Sequence, residues 1–431
     1  MVQLHHLPET LGPDPERILM RPFHIATEPR EGSNGISRAR RVVNGVRDMG
    51  PDAAAVELER VCREFAHRHD DITRYFRHRW REMDDALNLD DASFTPQQRD
   101  LIGAYFSHEY SYASAALMNP SVVEHPQPGA NGANAESGRF VMSLRTVGEG
   151  HISAVAFREG TFRTDGTMSL DPLPDVSFSP EVSAHAVGEP DERVDLVFDH
   201  DTPLSGTVIF PVTPMQRNGL EDLRLVRFQD GGEEPVYYGS YTAYSGRAIR
   251  SELLETRDFL DFTMRPMTGS AAVNKGMAIF PRRVNGRYAV IGRQDSESLF
   301  FITSDSITHW EGGQKIAAPL YPWELIQIGN CGAPIEIDEG WLLLTHGVGA
   351  VRKYAIGAML LDRDDPSRVI ARSRHPILAP QDERREGYVP NVVYTCGGLA
   401  VGRRLFLPHG VADQSVAFCW LDLDELMTDM T

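Results

Sequence analysis

Two carboxylates and a guanidinium stand together in the segment 219–225, which reads Gly-Leu-Glu-Asp-Leu-Arg-Leu. A carboxyl group can donate a proton to a leaving oxygen, so this segment is the best candidate in the chain for catalysis. From residue 223 to residue 228 apolar and basic side chains alternate, which predicts a β-strand. A period of two places Asp222 and Arg224 on one face, and that face must border water or a polar cleft.

The elements that position such residues return as a repeated pattern after Arg139. Each copy has an aromatic or apolar strand start, several apolar residues and a polar side chain five positions on; the polar residues are Arg145, Thr242, Arg293, His346 and His409. Later copies recur roughly every fifty to sixty residues, with about four strands each, as in β-propellers. The sequence therefore predicts an all-β fold, a five-bladed β-propeller in which these five side chains ring a central cleft.

Residues 52–118 have a different texture, with apolar side chains at the three-and-four spacing of amphipathic helices. Three helices are predicted there, the last beginning at Thr95-Pro96-Gln97-Gln98, a capping box with proline at the first helical position. The stretch 124–138 is rich in Gly, Pro, Asn and Ser, which predicts a loop. We therefore divide the chain into a mainly helical N-terminal segment, 1–118, and a propeller domain, 119–431.

The N-terminal segment also carries two further predictions. Arg21-Pro22-Phe23 is interpreted as a strand that joins the propeller from the N-terminal side. The many aromatic residues of the helices exceed what a free helical arm would expose, so we expect them to pack against the propeller or against a second subunit. A homo-oligomer therefore stays open as a partner.

Composition narrows the classes of partner. The chain has 43 basic and 61 acidic residues, a net charge of -18, and no basic block. Nucleic acid and anionic membranes are therefore poor partners, whereas a neutral sugar suits the chain. The four cysteines have no metal-ligand spacing and are predicted to be free thiols in a reducing compartment. With no targeting segment and no long apolar run, the sequence predicts a soluble, cytoplasmic protein without a metal.

From about Asn119 to Leu426 the sequence resembles glycoside hydrolase family 130, the inverting phosphorylases and hydrolases of β-mannosides. The order and spacing of several short motifs carry the resemblance; they lie at 119–121, 221–224, 278–281, 285–288, 338–347, 354–362, 389–393 and 410–413. The resemblance implies a five-bladed β-propeller that cleaves β-mannosides. It also implies a β-mannoside oligosaccharide and inorganic phosphate as partners, with phosphate as co-substrate and no other cofactor.

Site residues follow from the same resemblance. The aspartate of the family's Glu-Asp-Pro-Arg motif is the proton donor, and it matches Asp222; Leu223 replaces the proline. The implied phosphate ligands are Lys275, Arg293, His346 and Tyr354, and the implied sugar ligands are Arg145, Glu221, Arg224 and Asp413. One position departs from the pattern, because Gln327 stands where many of the phosphorylases have a lysine.

The nucleophile, phosphate or water, distinguishes a phosphorylase from a hydrolase. A phosphate ion already carries negative charge and needs only to be held by basic groups. Water instead requires a second carboxylate about 6.5–9.5 Å from the first, and Glu297 and Glu324 are the candidates for this base. The sequence predicts phosphorolysis to mannose 1-phosphate, with a β-mannoside hydrolase and a non-catalytic sugar-binding propeller as the alternatives.

Overall fold

The computed structural model describes residues 2–29, 35–127, 137–189, 191–381 and 385–430. Two compact units share the chain. One contains Met1–Asp14, Ala113–Pro174 and Ser179–Thr431, and the other contains Pro15–Tyr112 and Asp175–Phe178. Most of the loop predicted at 124–138 lies outside the described residues. Among the described residues, no helix combines the length and the apolar character that crossing a membrane requires.

The smaller unit is built on four helices: α1 (Arg38–Met49), α2 (Pro51–Phe65), α3 (Ile72–Leu87) and α4 (Pro96–Tyr105). Thr95 begins α4 with the predicted capping box, in which Gln98 and Thr95 each bond the other's backbone. The helices bury one another's apolar faces in a cluster that includes Val43, Trp80 and Phe106. Much of the aromatic content is thus used in the unit's own core.

The structure corrects the prediction for this region in three places. A helix at 38–49 was missed, and the chain after Tyr105 leaves the helical pattern for two strands, Ser107–Ser111 and Ala116–Glu124. The strand predicted near Arg21 exists as Ile18–Pro22, but its partner is Ser107–Ser111 within the same unit. The strand that does join the larger unit is His5–Leu11, whose Leu7 and Leu11 alternate onto an apolar cluster.

The strands follow one another along the chain as β1 (His5–Leu11), β2 (Ile18–Pro22), β3 (Ser107–Ser111), β4 (Ala116–Glu124), β5 (Ser137–Val147), β6 (Ser153–Arg163), β7 (Met168–Leu170), β8 (Glu181–His185), β9 (Arg193–Val197), β10 (Val208–Ile209), β11 (Gly219–Phe228), β12 (Val236–Tyr244), β13 (Ile249–Thr256), β14 (Asp261–Pro266), β15 (Ala278–Ile279), β16 (Tyr288–Gly292), β17 (Leu299–Ser304), β18 (Gln314–Ala317), β19 (Gln327–Asn330), β20 (Ile335–Ile337), β21 (Gly340–Val348), β22 (Tyr354–Leu361), β23 (Val369–Arg372), β24 (Val393–Tyr394), β25 (Leu399–Val401), β26 (Arg404–Val411) and β27 (Ser415–Asp422). A short helix, α5 (Leu423–Asp429), ends the described chain. The larger unit is therefore almost entirely β-structure.

Antiparallel sheets recur along the larger unit. Their strand orders are β4-β5-β6, β11-β12-β13-β14, β15-β16-β17-β18, β19-β21-β22-β23 and β24-β26-β27-β1, and a parallel pairing of Gly219 with Ser153 joins the first two into one sheet. Each copy of the sequence repeat forms the second strand of its sheet. Apolar clusters fill the spaces between successive sheets, as where Phe280, Ile328 and Trp341 pack together. Four of the polar residues that end the repeats lie within these strands, and Arg293 directly follows β16.

Candidate functional site

A β-bulge presents the two carboxylates of β11. The register with β12 shifts between Glu221 and Arg224, and Asp222 has a φ of 56°. An extra residue in one strand breaks the alternation of side chains. The strict period of two assumed from the sequence is therefore wrong at this point, and Glu221 and Asp222 both reach Arg145.

Asp222 and Glu221 are the centre of what we call the carboxylate half of the site: Asn119, Arg145, Glu221, Asp222 and Lys275. Arg145 Nη1 donates to Asp222 Oδ1 at 3.0 Å, and its Nη2 donates to Glu221 Oε1 at 2.8 Å. Lys275 Nζ donates to Glu221 Oε2 at 2.6 Å, and Asn119 Nδ2 donates to Asp222 Oδ1 at 2.6 Å. Both carboxylates are therefore matched by cations.

The charge on Asp222 is set by these neighbours. Burial alone would raise the pKa of its carboxyl group, but the charges of Arg145, Arg224 and Lys275 and the hydrogen bond from Asn119 outweigh burial and hold the pKa below its ordinary value. Among the described residues, no hydrogen bond reaches Asp222 Oδ2. That oxygen is available to a substrate.

A glycine packs closely against the serine that binds Arg145. Arg145 Nε donates to Ser153 Oγ at 2.9 Å, and Ser153 pairs with Gly219. Gly219 has a φ of 152°, and a Cβ there would lie 2.7 Å from the Cβ of Ser153. Only glycine admits this close approach without a shift of the neighbouring strand.

Arg224 joins the two sides of the site. Its Nη1 donates to the backbone oxygen of Asp222 at 2.8 Å, its Nε to the backbone oxygen of Cys331 at 2.8 Å, and its Nη2 to the Tyr394 hydroxyl at 2.8 Å. The Tyr394 ring meets His346 edge to face at 5.0 Å. The structure gives Arg224 a positioning role, since all its bonds go to neutral oxygens of the protein.

The other side, which we call the basic half, consists of Arg293, Gln327, Asn330, His346 and Tyr354. Arg293 Nη1 lies 3.3 Å from His346 Nε2, Gln327 Nε2 lies 3.4 Å from the same atom, and the Tyr354 ring stacks on His346 at 5.9 Å. Arg293 Nε is buried, with no hydrogen-bond partner in the described part of the chain. No described carboxylate pairs with this guanidinium, in contrast to the cations of the carboxylate half.

The protonation of His346 follows from its contacts. Its Nδ1 lies 3.2 Å from the backbone oxygen of Asn330, which can only accept, so Nδ1 carries the hydrogen. Burial and the charges of Arg293 and Arg224 hold the pKa of His346 well below its ordinary value. The ring is thus neutral, and Nε2 accepts from Arg293. His346 orients the guanidinium.

Asp413 occupies a tight turn between β26 and β27, where Ala412 and Asp413 both have positive φ. Burial and the nearby charge of Asp222 raise the pKa of Asp413 to about 6, against the opposing charges of Arg145 and Arg352. The Arg352 guanidinium in turn lies 5.8 Å over the Tyr354 ring. The structure therefore brings the predicted sugar ligand Asp413 into the field of the predicted acid.

The two predicted alternative bases occupy different surroundings. Glu324 is fully buried; its Oε1 accepts from Arg372 at 2.5 Å and from the backbone N–H groups of Leu320 and Tyr321 at 3.1 Å each. These contacts give Glu324 the role of a structural cap. Glu297 is exposed, and its backbone oxygen accepts from Ile328.

The repeat did not bring all five of its polar residues to the site. Arg145, Arg293 and His346 contact the groups described above. Thr242 instead pairs with Glu221 within the sheet, and His409 lies against Leu407 O and Cys419 Sγ. In the described part of the chain, no group of three or more His, Cys, Asp or Glu side chains is placed to hold a metal ion.

A profile described as beta-1,4-mannooligosaccharide phosphorylase, that of glycoside hydrolase family 130, matches residues 203–431. The matched stretch is more than half of the chain. The chain belongs to glycoside hydrolase family 130. The matched residues, 203–431, include the Glu-Asp-Leu-Arg segment, the basic half of the site and Asp413.

Two characterised sequences and one solved structure are similar to this family 130 chain. A 1,2-beta-oligomannan phosphorylase of Thermoanaerobacter sp. (strain X514) is 32% identical over 219 residues, which are 50% of this chain and 72% of that protein. A beta-1,2-mannobiose phosphorylase of Listeria innocua is 31% identical over 51% of this chain and 62% of its own length. The solved complex of the Listeria innocua mannobiose phosphorylase with beta-1,2-mannobiose has a TM-score of 0.50 at 21% identity, over 74% of this chain and 92% of that one. That structural likeness bears on the fold alone.

Three residues of the candidate site were not predicted from the sequence. Asn119 lies in a motif that carried the resemblance, so a bond to the acid could have been suspected. Asn330 follows Gln327 closely, but nothing in its spacing marks it. Tyr394 contacts Arg224 from 170 residues away, a distance no local pattern spans.

Proposed function

We propose that the chain is an inverting phosphorylase of β-mannosides, which transfers a mannosyl group to inorganic phosphate and releases mannose 1-phosphate. The observation that carries this proposal is Arg293, a guanidinium with a buried, unpaired Nε and no carboxylate partner among the described residues. A cation in such surroundings gains most from an incoming anion, and guanidinium groups suit phosphate oxygens. Both relatives compared above are phosphorylases by name.

The acid of the proposed reaction is Asp222. Its free Oδ2 would face the bound mannoside, and the family resemblance suggests that its proton reaches the leaving oxygen through a sugar hydroxyl. As the bond from the anomeric carbon to the leaving oxygen breaks, a phosphate oxygen forms a new bond to that carbon from the opposite face. The departing sugar takes the proton, and Asp222 is reprotonated before the next turnover.

Phosphate binding would also prepare the acid. In the free protein the cations around Asp222 keep its pKa low, so the carboxyl group is ionised and has no proton to give. A phosphate ion in the basic half would cancel part of this positive field. We expect the pKa of Asp222 to rise when phosphate binds, so that proton transfer depends on the presence of the co-substrate.

The other residues of each half are proposed to bind the sugar or the phosphate, or to position the residues that do. Arg145, Glu221 and Asp413 would bind hydroxyls of the mannoside, and Arg224 would hold the bulge in place. Lys275 is proposed to contact both Glu221 and the phosphate, whereas His346 would orient Arg293. The Tyr354 ring packs on the same imidazole.

We further propose a fold, a cellular compartment and a class of partner for the chain. The recurring antiparallel sheets support closure into a five-bladed β-propeller, with 119–431 as the catalytic domain and the mainly helical 1–118 as an extension. Three of the four cysteines are buried free thiols, which suits the reducing cytoplasm. The helical unit could support a homo-oligomer, and the acidic net charge favours neither nucleic acid nor a membrane as a partner.

Hydrolysis of β-mannosides is the second candidate, and Gln327 is the observation that favours it. An amide at a position where many family phosphorylases have lysine lowers the positive charge available to phosphate. Glu324 is 0% exposed and paired with Arg372, so that an attacking water has no path to its free Oε2, and the base of a hydrolase would be Glu297. Glu297 is exposed, which gives it little of the fixed geometry that a base needs.

Product analysis decides between the candidates. Purified protein is incubated with β-1,2- and β-1,4-linked mannobiose, with and without inorganic phosphate, and mannose 1-phosphate and mannose are assayed separately. We expect mannose 1-phosphate only when phosphate is present. Free mannose at an equal rate in both conditions would establish a hydrolase, and binding without any product would leave a sugar-binding protein.

A further inference from the structure

The hairpin 349–353 brings an arginine to the edge of the site. Arg352 is exposed, and its guanidinium lies 5.8 Å over the ring of Tyr354. Its charge also acts on Asp413, where it opposes the rise in pKa that burial and Asp222 cause. In the described part of the chain, this guanidinium forms neither a hydrogen bond nor an ion pair. All five of its N–H donors are therefore open to a ligand.

Arg352 lies on the sugar side of the site. His346 and Tyr354 are neighbours on the paired strands β21 and β22, and Arg352 comes next toward the tip of the hairpin. The charges that chiefly lower the pKa of His346 belong to other arginines, whereas the charge of Arg352 acts on Asp413. Arg352 is thus associated with the proposed ligand of the mannoside, and His346 with the basic half.

The loop before β24 ties these two edges together. The N–H of Val389 donates to the backbone oxygen of Ala412 at 2.9 Å, and the N–H of Tyr354 donates to the backbone oxygen of Asn391 at 3.0 Å. One short loop therefore holds both the turn that carries Asp413 and the strand that follows the hairpin. The guanidinium and the carboxylate are mounted on a common backbone frame, which keeps them in place before a substrate arrives.

Backbone strain is concentrated in the same three segments. Of the fourteen described non-glycine residues with positive φ, five lie here: Val351, Arg352, Asn391, Ala412 and Asp413. The left-handed conformation costs roughly 1–2 kcal/mol for most residues other than glycine and asparagine. Strained residues of this kind cluster at active sites and ligand clamps. Their concentration around an unpaired guanidinium indicates that this edge binds a ligand.

We propose that Arg352 is a ligand of the leaving sugar and donates to two neighbouring hydroxyl oxygens of that sugar. The inference rests on the proposed phosphorylase function, in which phosphate attacks from the basic half and the leaving group departs on the opposite face. The fork of a guanidinium presents two parallel N–H groups, which match two adjacent oxygens. Arg352 would therefore favour a leaving group with two adjacent hydroxyls, as in a sugar, over a simple alcohol.

Synthesis in the reverse direction separates the two sides of the site. Purified protein is given mannose 1-phosphate as donor and mannose or mannobiose as acceptor. In Arg352→Gln we expect the KM for the acceptor to rise about tenfold, while the KM for mannose 1-phosphate stays within about twofold. Glutamine and arginine both carry a Cβ and an unbranched stem, and Arg352 is exposed, so the hairpin and the Tm should be preserved.

Lys353→Gln is the matched control, because it removes a positive charge from the same hairpin, and Lys353 makes no described ion pair. It should leave both KM values within about twofold of the wild type. A tenfold rise in the acceptor KM of this control would reduce the effect of Arg352 to net charge and overturn the proposal.

Two other outcomes in Arg352→Gln would also overturn the proposal. A larger rise in the KM for mannose 1-phosphate than in that for the acceptor would assign Arg352 to the phosphate. Unchanged values of both would leave it without a ligand. If the wild type makes no product from mannose 1-phosphate, the proposed function fails, and calorimetry with mannobiose then tests Arg352: its affinity should fall about tenfold in Arg352→Gln, and an unchanged affinity rejects the role.

Discussion

The two halves of the site differ in how their charges are matched. In the carboxylate half, Arg145 and Lys275 contact Glu221 and Asp222 at 3.0 Å or less. In the basic half, Arg293 contacts a neutral imidazole, its Nε has no described partner, and no described carboxylate pairs with it. Matched charges hold a geometry before the substrate arrives, and unmatched donors await a charge from outside. The contrast fits the proposed function, in which the sugar and the acid meet in the carboxylate half and phosphate binds in the basic half.

The largest expected effect comes from Asp222→Asn, which removes the acid but keeps the shape of the carboxylate half. Asparagine tolerates the left-handed φ of 56° at this position, so the bulge should survive. We expect kcat to fall about 10³-fold, with binding of mannobiose retained by calorimetry. Turnover near the wild-type rate would show that the acid is elsewhere and that the matched half only binds.

Arg293→Gln tests the basic half in the same way. Loss of a charge-assisted bond should raise the KM for phosphate about 10- to 100-fold with little change in the KM for mannobiose. The pKa of His346 should rise, because one of the charges that lower it is gone; its NMR titration, assigned with His346→Gln, measures this change.

Arg372→Gln is the matched control for Arg293→Gln, because Arg372 pairs with the buried Glu324 and makes no described bond to Arg293 or His346. It should lower the stability by about 3 kcal/mol and leave the KM for phosphate unchanged. Equal effects of the two substitutions on the KM for phosphate would contradict a specific role of the basic half in binding phosphate.

Asp413 gives the next effect, and it depends on pH. Its pKa is raised to about 6 in the folded protein, so the folded state holds a proton that the unfolded state releases above about pH 4. The resulting loss of stability begins near pH 4 and is complete above about pH 6. Asp413→Asn should therefore stabilise the protein by about 2 kcal/mol at pH 8 and by almost nothing at pH 4.

Thermal unfolding of both proteins across this pH range measures the effect of Asp413. The KM for mannobiose should rise in Asp413→Asn most above about pH 6, where the wild-type group is the carboxylate that would bind the sugar. A stabilisation equal at pH 4 and pH 8 would contradict a raised pKa at this position.

The sequence repeat points to residues of both halves, Arg145 in the carboxylate half and Arg293 and His346 in the basic half. Arg293 and His346 close two copies of one repeat, so strand periodicity and equal spacing bring them together. The bulge at Asp222 depends on pairing with β12, so the period of two predicted from the sequence does not hold there. The bond between Lys275 and Glu221 joins residues 54 positions apart, which no local pattern predicts.

The fold shows the same division between local and long-range information. The all-β class and the helices at 51–105 follow from periodicity within short windows. The strand His5–Leu11 was missed because it pairs with Ser415–Asp422, at the other end of the chain. Its burial alternates over all seven residues, but Glu9 stands between Leu7 and Leu11 on the inward side, so the sequence shows no continuous apolar face.

The smallest expected effect comes from two hairpins, one following a strand of the carboxylate half and one following a strand of the basic half. The hairpin after Arg145, 148–152, and the one after His346, 349–353, have the same pattern of dihedral angles, with left-handed residues at the third and fourth positions. Gly150 takes the third position in the first hairpin and Val351 in the second. A β-branched residue is strained there, and Val351 is 88% exposed, so it gains no burial in return.

Val351→Gly should therefore stabilise the protein by about 0.5–1 kcal/mol, and Gly150→Val should destabilise it by a similar amount, since a Cβ at Gly150 would meet no atom within 4 Å. Denaturant unfolding measures both. Because the hairpins follow different halves, the double variant should return to the stability of the wild type. A departure of more than about 0.5 kcal/mol from additivity would mean that the two hairpins are energetically coupled, and that the two halves are not independent.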